Sequence, residues 1–157
     1  MRNAVVLSAV LLGSAASYAA QGKTGSKAAI DPCSLVTKQE AAAAVGETVA
    51  DGKPTVVDTS NSPAMQAGGS CVFESTTRYL KVNMYRYTPQ IAAAYRNRCA
   101  KKETVPGIGD VACWYDSKHA ELQLIKGVTS LAIQVNRRGD ATEALKTVAK
   151  KAADRLP

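Results

Sequence analysis

Two stretches of clean alternation mark the middle of this chain. From Tyr79 to Tyr87, Leu80, Val82 and Met84 fall on one side, and Tyr79, Lys81, Asn83, Tyr85 and Tyr87 on the other. From Thr129 to Asn136, Leu131, Ile133 and Val135 form a second apolar row. A period of two is the signature of a strand with one face in a core. The same reading gives strands within Thr48 to Val57, over Cys71 to Thr76 (Cys71 and Phe73 on one face), over Val111 to Asp116, and over Ala120 to Lys126 with Leu122 and Leu124 inward. Between the first two of these, Asp58 to Gly69 is rich in Ser, Asn, Pro and Gly and predicts a long surface loop.

Three segments carry helical spacing instead. Thr37 followed by Glu40 is a capping box that opens a helix over Lys38 to Val45, and Gly46 suits its left-handed C-terminal cap. A second helix follows Pro89 and runs to about Lys102, with Ile91, Tyr95 and Cys99 on one stripe. The third starts at Asp140, with Glu143 completing a capping-box-like pair. Its apolar face is Ala141, Ala144, Leu145, Val148, Ala152 and Leu156. Lys146, Lys150, Lys151 and Arg155 lie on its other faces, toward the end that favours positive charge. The predicted fold is α+β: an antiparallel sheet of about six strands with three helices on one face, in the order α-βββ-α-βββ-α. Each half reads as one helix followed by a meander, which hints at internal duplication.

Ahead of this domain the pattern changes. Arg2, an apolar run from Ala4 to Ala16 and then Ser17-Tyr18-Ala19 form a cleavable export signal over residues 1–19. The run is short for a membrane span. Ser14 stands where a bacterial lipoprotein signal would place its cysteine, so a soluble periplasmic or secreted protein is expected. Residues 20–30 read as a flexible tether, and residues 31–157 as one domain. The tether contains Gly22-Lys23-Thr24, but Ser17 occupies the position where a phosphate-binding loop needs glycine, and no strand precedes it. Removing Arg2 with the leader leaves 19 basic and 13 acidic residues, a net +6. That charge is compatible with an anionic envelope component or an acidic protein as partner.

Export gives the four cysteines an oxidising destination. Four cysteines allow three connectivities; the pairing chosen is Cys33 with Cys71 and Cys99 with Cys113. The second bridge would pin a helix to the next strand. The first would tie the start of the domain to a core strand. Zinc is the competing reading, but no Cys-x-x-Cys pair is present and the spacings fit no zinc module. A redox role would also need closely spaced cysteines. No metal or cofactor is expected.

Asp31-Pro32-Cys33-Ser34-Leu35-Val36-Thr37, the capped helix ending at Gly46, Cys71-Val72-Phe73 and Val105-Pro106-Gly107-Ile108-Gly109-Asp110 form a set. Together they resemble a family of small exported bacterial proteins, many of them actinobacterial lipoproteins, known only as a domain of unknown function. That domain is itself similar to the extracellular sensor regions of certain mycobacterial receptor kinases. The resemblance covers nearly the whole chain after the leader. It implies an envelope protein with a Cys33–Cys71 bridge and supplies no catalytic residues. This chain departs from the commoner pattern in lacking the lipidation cysteine and in carrying the extra pair Cys99 and Cys113.

Candidate chemistry is sparse. His119 is the only histidine, and no Gly-x-Ser-x-Gly elbow accompanies it; it reads as an exposed turn residue. Glu74, Asp110, Asp116 and Glu121 show no spacing that pairs any two for acid–base work, and Asp110 reads as a turn organiser. The row Tyr79, Lys81, Asn83, Tyr85 and Tyr87 has the composition of a recognition surface, although tyrosine is also a favoured strand residue. Trp114 joins that row if Cys113 points inward toward Cys99. Nucleic acid could stack on such aromatics beside Arg78, Lys81 and Arg86, but export argues against it. These residues predict a non-enzymatic exported binding module acting through the aromatic sheet face. The alternative is a periplasmic inhibitor or immunity protein directed at a secreted hydrolase or toxin. The sequence leaves the oligomeric state open.

Overall fold

The computed structural model describes residues 31–57, 61–62 and 64–157. The export signal expected over 1–19 and the tether expected over 20–30 lie outside the described residues, as does part of the segment expected to loop between positions 58 and 69.

The domain opens with a tight 3-10 turn, Pro32–Leu35, whose preceding Asp31 accepts a hydrogen bond from the Cys33 N–H. Helix α1 (Lys38–Val45) begins with both halves of the capping box made: Thr37 Oγ1 accepts from Glu40 N, and Glu40 accepts from Thr37 N. Gly46 ends it at φ +83°, a conformation that costs glycine little. Strands β1 (Lys53–Val56), β2 (Met65–Glu74) and β3 (Tyr79–Tyr87) follow. Helix α2 (Pro89–Cys99) leads to β4 (Val111–Trp114), β5 (Glu121–Lys126) and β6 (Thr129–Asn136), and α3 (Thr142–Arg155) closes the order.

The strands form one six-stranded sheet in the order β1-β2-β3-β6-β5-β4. Every pairing is antiparallel. Two three-stranded meanders therefore meet at their last strands, with Val82 opposite Ile133. The fold class and the order of elements are those the alternation predicts.

One face of the sheet carries the main core. Leu80, Val82 and Met84 of β3 lie beside Val135, Ile133 and Leu131 of β6, and these beside Leu122 and Leu124 of β5; all are buried. Helices α1 (through Ala41, Ala44 and Val45) and α3 (through Leu145, Val148, Ala149 and Ala152) close over them. Each large side chain buried here contributes about 1.5–3 kcal/mol of hydrophobic transfer free energy. The sheet also caps both helices. Lys126 Nζ donates to the carbonyls of Ala153 and Leu156 at the end of α3, and Arg137 donates to Ala44 O at the end of α1. Cations at these positions satisfy orphan carbonyls and oppose the negative end of the helix dipole.

Three details differ from the sequence expectation. First, α2 does not join α1 and α3. Adjacent residues of a strand point to opposite faces, so Cys113 faces away from Trp114, Leu122 and Ile133. The Cys99–Cys113 bridge then holds α2 on the far face, over a separate buried group of Tyr87, Ala92, Cys99, Cys113 and Ile125. Two helices cover one face and one covers part of the other.

Second, β2 starts at Met65, six residues before Cys71, so Gly68 and Gly69 belong to a strand rather than a loop. A Cβ on Gly69 would come within 3.1 Å of the Pro32 side chain, and one on Gly68 within 3.1 Å of the Tyr85 ring. These glycines mark close approach, not a turn. Third, α3 starts at Thr142 with Ala141 as its N-cap and no side-chain capping bond; Asp140 Oδ1 accepts from Thr142 N, and Glu143 pairs with Lys146 instead of reaching back.

Candidate functional site: the outer face of the sheet

The face opposite α1 and α3 is called outer here. Alternation on β3 places Tyr79, Lys81, Asn83, Tyr85 and Tyr87 on it in one row, as expected. Their cross-strand neighbours give the row its shape. Asn83 lies between Ser70 and Ala132, and Tyr85 between Gly68 and Ser130. The neighbours on both sides are small, and the Tyr85 ring lies close against Gly68. Lys81 is flanked by Val72 and Gln134, and Gln123 continues the polar surface beyond Ala132. Tyr79, Lys81, Asn83 and Tyr85 are all half-buried.

At the β3 end nearest α2 the row turns into an aromatic stack. Tyr85 and Tyr87 have ring centroids 6.2 Å apart; Tyr87 and Tyr95 of α2 are 4.8 Å apart and nearly parallel, at 9°. The Arg98 guanidinium stands 5.0 Å from the Tyr95 centroid, within cation–π range. Tyr87 is buried. Loss of solvent, and then the neighbouring Tyr95 and Tyr85, push its phenol well above the usual tyrosine range, so it stays protonated. Tyr87 is thus a support for the stack rather than a contact. Tyr95 and Arg98 were not expected at the site. The signal for Tyr95 was present: Tyr95 shares a stripe with Cys99, and the bridge to Cys113 fixes which face that stripe meets.

Trp114 does not belong to the row. It is 3% exposed and lies on the inner face, because Cys113 takes the outer one. The indole instead stacks on His119, with centroids 4.4 Å apart. His119 is correspondingly not an exposed turn residue. It is half-buried at φ +53°, with Nε2 at 2.9 Å from Glu103 Oε2 and Nδ1 at 3.4 Å from Thr142 Oγ1. It ties the chain after α2 to the start of α3.

The two bridges are Cys33–Cys71 and Cys99–Cys113, with S–S distances of 2.06 and 2.11 Å. All four thiols are consumed, which removes the zinc reading. Among the described residues no group of three His, Cys, Asp or Glu side chains is placed to hold a metal ion. The carboxylates considered for acid–base work have separate partners: Glu74 pairs with Lys53, Asp116 accepts from Lys118 N, and Glu121 accepts from Gln123. Asp110 does organise its turn. It accepts from Gly127 N at 2.8 Å and pairs with Arg96, which also donates to Gly127 O. Glycine is required just before it: Gly109 has φ +59°, and a Cβ there would fall 2.7 Å from Ile125 O.

Two disulfides fit an oxidising, extracytoplasmic environment. No helix among the described residues is long and apolar enough to cross a membrane. No protein-family model, curated protein or solved structure matches this chain.

Proposed function

We propose that this chain is a non-enzymatic binding module, exported to the periplasm or beyond, that recognises a protein or an envelope component through the outer face of its sheet. The observation that carries this reading is the half-buried polar and aromatic row on β3. Asn83 and Tyr85 lie between small residues, with Lys81 on one side and the Tyr87–Tyr95–Arg98 stack as a wall on the other. Rigid aromatics beside adaptable amide and ammonium groups are the usual composition of binding hot spots. The disulfides support an extracytoplasmic setting, and the leader-like start and the Asp31-to-Thr37 segment support a bacterial envelope role.

Affinity capture from an envelope extract, with tagged disulfide-bonded protein and mass spectrometry of what is retained, tests it. The expected result is a retained protein or glycan that is lost in Lys81→Ala/Tyr85→Ala while the variant remains folded. A partner retained equally by the double variant removes the outer face from the reading.

A further inference from the structure

On the other side of the molecule a second feature stands apart from the row on β3. The connector after α2 crosses α3 and leaves a groove of about 560 Å³ between them, within the range of about 300–1,000 Å³ usual for small-molecule sites. Its floor is apolar, formed by Val105, Pro106, Gly107 and Ile108, of which Val105 and Ile108 are rooted in the core. Its rim on α3 carries three lysines, 146, 150 and 151, against one acid, Asp154.

The rim lysines are held loosely. Lys146 pairs with Glu143 at 2.9 Å and Lys150 with Asp154 at 3.1 Å, both in exposed contacts that contribute little and exchange easily with another anion. Lys151 is different in kind. It reaches Glu40 at 3.3 Å, but Arg155 already holds both oxygens of that carboxylate, at 2.7 and 2.8 Å. Two cations share one anion, so Lys151 is free to meet another without leaving Glu40 unpaired.

We propose that this groove binds the monomer of an anionic amphiphile, a medium-length acyl chain ending in a carboxylate or phosphate. The head would be met by Lys150 and Lys151 and the first carbons would lie on Val105, Pro106 and Ile108. Charge complementarity and an apolar floor argue for this occupant over a neutral or cationic one. The site is independent of the outer face and does not rest on its assignment.

The test is titration of the purified, disulfide-bonded protein with decanoate below its micellar concentration, followed by backbone amide shifts. Saturable shifts centred on Val105, Gly107, Ile108 and Lys150 are expected. Affinity should fall about tenfold in Lys150→Ala/Lys151→Ala, weaken with added salt in the unaltered protein, and stay the same in Tyr85→Ala. Decyltrimethylammonium, with the same chain and the opposite charge, should not saturate the site. Equal responses to the two amphiphiles, decanoate binding indifferent to both salt and the double variant, or no saturable response would each overturn the proposal.

Discussion

The two faces of the sheet are built from the same strands and are finished in different ways. On the inner face β3, β5 and β6 present rows of large apolar side chains, and α1 and α3 cover them. On the outer face the same strands present Asn83, Gln134, Gln123 and Lys81, and α2 covers part of it. The difference bears on the second bridge, Cys99–Cys113, since Cys33–Cys71 lies within the inner core. The inner layer has a continuous core that includes the Cys33–Cys71 bridge. Helix α2 has little apolar surface of its own, chiefly Ile91, Ala92, Tyr95 and Cys99, and Cys99–Cys113 ties it to the sheet. Stability is concentrated on one side, which leaves the other free to carry polar groups that a core would not tolerate.

The largest effect expected from breaking this contrast is in the core. Leu131→Ala removes a fully buried side chain from the centre of the inner row and should cost about 2–5 kcal/mol. Asn83→Ala, one strand away on the outer face, should stay within about 0.5 kcal/mol. Urea unfolding of the two variants side by side measures both. Similar losses would mean that the outer face contributes to the core after all.

Replacing Cys99 and Cys113 together by Ala comes next. The closed segment of 14 residues corresponds to about 3 kcal/mol from chain entropy. The effect should also be local: amide exchange should accelerate over α2 while the amides of β6 keep the protection the remaining stability allows. Uniform acceleration across the sheet would show that α2 and the inner layer unfold as one unit.

How much of this was legible in the chain depended on whether the deciding contact was local. Helix α1 was readable to the residue because Thr37, Glu40 and Gly46 specify its ends within a few positions. Strands β3 and β6 were readable because alternation runs through their middles, from Tyr79 to Tyr85 and from Leu131 to Asn136. The start of β2 was hidden, since Gly68 and Gly69 are turn formers by composition. Only the approach of Pro32 and Tyr85 shows why strand backbone needs them. The side taken by α2, and with it the fate of Trp114, turned on the parity of Cys113 against a row defined by β5 and β6. Parity is fixed by register, which no short segment carries. His119 likewise depended on Trp114 and Glu103 meeting it from different elements.

The smallest of the three effects tests how the two inner helices are tied to each other. Glu40 accepts both Arg155 bonds while also completing the α1 cap, and Arg155 donates further to Leu35 O. The Arg155 contact, followed by the Thr37 backbone and Lys151, outweighs the cost of partial burial and lowers the Glu40 carboxyl from 4.5 to about 2. A depressed pKa in the folded state means the protein binds fewer protons there than the unfolded chain. The stabilisation is therefore full at pH values above about 4.5 and is lost as pH falls toward 2. Allowing for solvent screening, it should amount to about 1–2 kcal/mol. Glu40→Gln keeps much of the cap and removes the charge. Its deficit relative to the unaltered protein should be present at pH 7 and shrink between pH 4.5 and 2, where the native carboxyl is itself being protonated. A deficit that stays constant across that interval would assign the cost to lost capping rather than to the ion pair. The tie between α1 and α3 would then be a matter of packing alone, the same force that separates the inner face from the outer.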